Sequence, residues 1–134
     1  MLKAIIRRML KHEKGASFVE FAIILPVLLA LVVGIIEFGW IFNGYITLTG
    51  AAREGARLAV IGKSTGEVTT AVNNHTVTFR GGVNSVSVNP SNYLNSYPDK
   101  ITVTVEGDLP LITGLFINSI SLTGEATMRR EFNP

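Results

Sequence analysis

Cysteine is absent from the 134 residues, which removes a disulfide framework and a thiolate metal site together. A domain outside the cell interior must then hold together by packing alone. Histidine occurs only at His12 and His75, too sparse for a metal-ligand motif, and no glycine-rich run has the spacing that cradles phosphate. Asp99 and Asp108 sit beside turn residues and are explained as turn formers. The chain is therefore expected to carry no catalytic residues, no metal and no cofactor, and not to be an enzyme.

Basic charge is scarce after the first fifteen residues. Lys3, Arg7, Arg8, Lys11 and Lys14 stand there against Glu13, leaving seven bases and nine acids of the chain's 12 and 10. The net charge of +2 thus hides a basic start and a mildly acidic body, which argues against a nucleic-acid partner.

What the chain does have is a long apolar run. Phe21 to Ile36 reads FAIILPVLLALVVGII, sixteen residues without a charged or polar side chain, and Phe18 to Phe42 makes 25 interrupted only by Glu20 and Glu37. About 20 apolar residues cross the ~30 Å hydrocarbon core of a bilayer, so residues 16–42 are expected to form a transmembrane helix. Two other readings compete. A buried helix of a soluble protein would have little chain left to wrap it. A cleavable secretory signal shares the basic start, but its apolar region is normally shorter, at about 7 to 15 residues. Five bases flank the run on its N-terminal side and none on the other until Arg53, which sets the N-terminus in the cytoplasm. Pro26 lies inside the run and predicts a kink, tolerated in membrane helices where neighbours satisfy the freed carbonyl.

The junction Lys14-Gly15-Ala16-Ser17-Phe18-Val19-Glu20-Phe21 is the most informative stretch. A carboxylate in a membrane helix costs roughly 2.5 to 3.5 kcal/mol at the bilayer centre and less near the interface. Glu20 either sits at headgroup level, helped by the positive end of the helix dipole, or has a partner.

A basic leader ending in Gly15, a small residue, glutamate at the fifth position and a long apolar helix together resemble the type IV prepilin junction. Further along, E-F-A at Glu20 to Ala22, Pro26, Gly34 to Gly39, and A-A-R-E-G-A-R at Ala51 to Arg57 are similar to the TadE-like proteins of the tight-adherence (Tad, Flp) pilus and secretion system. LTGEATMRREF, Leu122 to Phe132, resembles that family's closing strand. The likeness is specific over residues 15 to 61, returns near the C-terminus and is loose between. Phe21, where the major Tad pilin pattern has tyrosine, and the length of the chain favour the minor, pseudopilin branch. The resemblance implies that a prepilin peptidase cuts after Gly15 and that the new Ala16 amine pairs with Glu20 of a neighbouring subunit. It also implies as partners other pilins or pseudopilins and an inner-membrane assembly platform, beside the lipid itself. The location implied is the bacterial inner membrane with the C-terminal domain extracytoplasmic, or a surface pilus.

Past Trp40, an interfacial aromatic, the helix is expected to run to about Ile61. Tyr45, Leu48, Ala52, Ala56 and Ala59 share one face, and Ala51, Gly55 and Ala59 form a small-xxx-small series that permits close helix approach. The partner of that series is open between the chain's own sheet and another subunit. Gly62 marks a stop. Ser64 to Glu67 has capping-box spacing, predicting a short helix over Thr65 to Asn73. Period-two patterns then predict strands at His75 to Arg80, Val83 to Val88, Lys100 to Glu106 and Ser119 to Met128. Asn89 to Asp99 reads as a polar loop, and Asp108 to Phe116 as an apolar loop that covers the sheet edge or forms a contact patch. The fold class is α+β: a long N-terminal transmembrane helix continuing into an exposed helix packed on a small antiparallel sheet, a pilin-like plan. Its parts are a leader at 1–15, the span at 16–42 and a domain at 43–134.

Two functions fit. One is a minor pilin or pseudopilin, processed and then helping to assemble a Tad-type pilus or secretion system. The other is an uncleaved membrane-anchored adhesin or scaffold that binds a partner through its sheet. They part at Gly15, since only the first needs a free Ala16 amine and Glu20. A more remote third, a domain released by ordinary signal cleavage, predicts a soluble product that begins after the apolar run.

Overall fold

The computed structural model describes the backbone at residues 2–114 and 117–131 and the side chains at 15–114 and 117–131. Leu115 and Phe116 of the expected apolar loop, Phe132 of the closing motif and the leader side chains lie outside the described residues. The chain forms two compact units, Met1–Ile36 and Glu37–Pro134. The first helix, α1 (Leu2–Val60), supplies all the described secondary structure of the first unit and opens the second.

In the first unit α1 runs on through Pro26. Proline has no N–H, so the Ala22 carbonyl has no amide partner four residues on. Most of the apolar side chains point outward: Phe18, Val27 and Ile23 are 77%, 70% and 69% exposed. Side chains of this kind repel water and require an apolar surrounding.

The second unit adds α2 (Thr65–His75), β1 (Val83–Asn89), the single-turn α3 (Tyr93–Ser96), β2 (Lys100–Pro110) and β3 (Ser119–Arg129). The sheet is antiparallel in the order β1-β2-β3. Register follows the side chains, with Val88 opposite Val103 and Val86 opposite Val105, and Val103 opposite Ala126 and Leu109 opposite Ile120. Ile101, Val103, Val105 and Leu109 of the central strand are buried on one face. The other face is polar: the Thr102 and Thr127 hydroxyls meet at 2.7 Å, Ser85 donates to Glu106 at 3.0 Å and Asn84 to Asp108 at 2.8 Å. One buried face and one solvated face is what the alternation in Lys100 to Glu106 requires.

On the buried face lie Leu48, Ala51, Ala52, Ala56 and Ala59 of α1 and Val68 and Val72 of α2, all fully buried. The small residues let the helix come close to the sheet. A Cβ at Gly55 would stand 3.0 Å from Val72 and 3.1 Å from Val103, and one at Gly124 would run into the α1 backbone at Leu48 and Thr49.

The end of α1 is closed by a Schellman motif. Gly62 takes a φ of 84°, and the Gly62 and Lys63 amides donate to Ala59 and Leu58, each at 3.1 Å. The capping box of α2 is present, with Ser64 and Glu67 each bonded to the other's backbone.

The structure corrects four local expectations. His75 to Arg80 is not a strand: His75 ends α2, the Thr76 hydroxyl bonds the Val72 carbonyl at 3.0 Å, and Phe79 turns into the core. Its alternation was too short to set a period, because Val77 is 79% exposed. The loop at Asn89 to Asp99 contains α3, whose Tyr93 is fully buried with its hydroxyl on the Lys63 carbonyl. Asp108 to Pro110 belong to β2, with Leu109 in the core, so the apolar connection is shorter than the sequence suggested. Tyr45 is 48% exposed because Gly44, one residue earlier, is the position that faces the core: its Cβ would meet Leu109 and Leu122.

Candidate functional site: the N-terminal junction and the helix that carries it

Gly15, Ala16 and Glu20 lie on α1 and are exposed. An added Cβ at Gly15 meets nothing within 4 Å. Positions 16 and 20 are four residues apart, which puts them on one helix face about 6 Å apart along the axis. The backbone here is helical, not extended. A protease that reads an extended chain has to unwind a turn at this point, and glycine eases that step because it favours the helix by about 1 kcal/mol less than alanine does. If the chain were cut after Gly15, the Ala16 amine and the unpaired N–H groups of the first turn would make a positive helix end. Glu20, one turn further on, is the first carboxylate after it.

Ala51, Gly55 and Ala59 are held in the second unit's own core, against α2 and β2. On the other side of the helix, Arg57 donates to Glu54 through Nε at 3.0 Å and Nη2 at 2.7 Å. That hydrogen bond, ahead of the charge itself, holds the Glu54 carboxyl below its usual range. Arg53, Glu54 and Arg57 thus form a charged surface beside a packed face.

Three anchoring contacts were not legible in the sequence. Glu37 Oε1 accepts the Ile112 amide at 2.9 Å, and Trp40 Nε1 donates to the Pro110 carbonyl at 3.1 Å. Both fasten the β2–β3 turn to α1. At the other end Arg130 Nε donates to the Val60 carbonyl at 3.1 Å, and its guanidinium stands 5.2 Å from the Tyr97 ring centre. A cation at a helix C-terminus satisfies free carbonyls and opposes the dipole. The one available signal was Glu37 itself, since a carboxylate between Ile36 and Phe38 needs a partner.

A helix long and apolar enough to cross a membrane, followed by a small antiparallel sheet, makes this an α+β protein whose N-terminal part fits a membrane anchor. Within that class, residues 15–57 match the model of the family described as TadE-like protein. The matched stretch opens at Gly15 and closes at Arg57, so it lies within α1 and stops before α2 and the sheet. No curated protein and no solved structure matches the chain.

Proposed function

We propose that the chain is a minor pilin or pseudopilin of a Tad-type system. It enters the bacterial inner membrane with its N-terminus cytoplasmic, and a prepilin peptidase removes residues 1–15. The Ala16 amine then pairs with Glu20 of a neighbouring subunit as the pilus or secretion apparatus assembles on its membrane platform. The supporting observation is that the TadE-like match begins at Gly15, with Glu20 exposed on the helix beyond it. In this role the chain is a substrate and a building part, not a catalyst.

The pairing has a physical basis. A lone carboxylate in the bilayer is costly, and a cationic amine from another helix offsets that cost where water is scarce. At an effective dielectric constant near 20, two such charges about 4 Å apart attract by ~4 kcal/mol.

A second reading keeps the leader and makes the protein a fixed anchor for an adhesin or scaffold domain. It is favoured by the unbroken helix across the junction. Glu20→Ala separates the two. For a pilin, the variant keeps its level in the membrane, while incorporation into isolated pili or co-purification with other subunits falls at least roughly tenfold, the equivalent of ~1.4 kcal/mol. Unchanged assembly in this variant would remove the pairing role of Glu20.

A further inference from the structure

The two edge strands of the sheet differ. β1 is seven residues long, and its register against β2 shifts between Val83 and Ser85. A shift of that kind spoils an edge for further pairing. β3 pairs with β2 at each of its eleven positions without a shift, and it contains no proline and no lysine. As the last strand in the order β1-β2-β3, it has main-chain groups on its far side that no described strand takes up. Such a row of N–H and C=O groups is a template for one more strand. On the core side of this edge Ile120, Ala126 and Met128 are only half-buried, so an added strand would also take apolar surface out of water.

Charge says which strand fits. Glu125 and Arg129 are the charged residues of β3, and both are exposed on its polar face. Arg129 stands directly opposite Lys100, and Glu125 is diagonal to Glu106, which pairs with Thr123. Like charges across a strand pair repel. Among the described residues neither Glu125 nor Arg129 is in an ion pair. Each therefore lacks an opposite charge on the β2 side and has only its free side to find one. The two stand four residues apart, which makes β3 complementary to itself. A second β3 laid antiparallel, with Thr127 facing Thr127, sets Glu125 against the partner's Arg129 and Arg129 against the partner's Glu125. The same register brings Ala126 and Met128 face to face on the core side. Centring the pair on Glu125 or on Arg129 would put like charges together, so the charges select the register.

We propose that β3 is a self-pairing edge: two copies of the chain join their sheets antiparallel, centred on Thr127, with reciprocal Glu125–Arg129 ion pairs across the join. The contact lies wholly within the second unit. Its strands run in opposite directions, so it is separate from the Ala16–Glu20 pairing proposed above and does not depend on a cut after Gly15.

The absence of cysteine makes the test direct. Thr127→Cys is made in the full chain, with Ser87→Cys, exposed on the other edge strand, as the control. Each protein is purified in detergent and mildly oxidised. The Thr127→Cys chain should form a disulfide-linked dimer, since facing residues of an antiparallel pair have Cβ atoms about 4.5–5.5 Å apart. The Ser87→Cys chain should stay monomeric. In the Thr127→Cys background, Glu125→Arg or Arg129→Glu alone should cut the dimer yield at least roughly tenfold, because like charges then meet across the join. The two exchanges together should restore it, which shows that the single variants fail in pairing and not in folding. A Thr127→Cys chain that remains monomeric would overturn the proposal and leave the edge to another partner. Dimers formed as readily through Ser87→Cys, or a yield indifferent to the charge exchanges, would overturn it as well.

Discussion

Gly124 and Glu67 show how single residues set the geometry of the domain. Gly124 faces Val105 across the sheet and lies where β3 meets the backbone of α1, so even a methyl group there collides with main chain. Overpacking of this kind costs about 1–3 kcal/mol. Gly124→Ala is therefore expected to lower the unfolding midpoint of the full chain in detergent by several degrees, read from the fluorescence of Trp40. Gly66→Ala serves as the control, since its Cβ would meet nothing within 4 Å, and it should be neutral or slightly stabilising. Glu67 is held down to about 2 from an ordinary 4.5, first by the hydrogen bond from Lys63 and then by the Ser64 amide and hydroxyl. A carboxylate depressed in the folded state contributes stability above its unfolded value and loses it as pH falls through the folded one. Amide-exchange protection at the start of α2 should then weaken as pH drops from about 4.5 toward 2. Glu67→Gln should show no such fall over that window.

At the scale of elements, the parts legible in the sequence were those with a strong period or a strong stop. The apolar run, the end of α1 at Gly62, the Ser64–Glu67 box and three strands follow from patterns several residues long, and the structure has each within a few residues of its expected place. The misreadings were short or tertiary. His75 to Arg80 has two alternating apolar residues, and Phe79 alone finds a place in the core while Val77 does not. Tyr93 looks like part of a polar loop until the Lys63 carbonyl appears opposite its hydroxyl. The roles of Glu37 and Arg130 depend on partners 75 and 70 residues away, which no local pattern encodes. Ser64→Ala removes one half of the α2 cap. It should destabilise the domain by about 1 kcal/mol, seen as earlier thermal loss of the α2 amide resonances.

For the whole molecule, the two units divide the work. Met1–Ile36 contains the junction and most of the apolar run, and Glu37–Pro134 is a small domain closed on its own core. Ala51, Gly55 and Ala59 are buried inside that core, whereas exposed apolar side chains fill residues 15–36 of α1 and continue at Phe38, Phe42 and Ile46. Glu20 is the only ionisable residue among 15–36. The candidate site was legible because it is local: glycine, a small residue, glutamate and an apolar helix follow one another without any help from the fold. The central claim is that this junction is cut. It is tested most directly by mass spectrometry of the N-terminus of the membrane-extracted protein from cells with and without their prepilin peptidase. The account predicts a chain starting at Ala16 only where the peptidase is present, and full-length protein when Gly15 is replaced by a bulky residue. An intact Met1 in both strains would contradict processing and leave the fixed-anchor reading in its place.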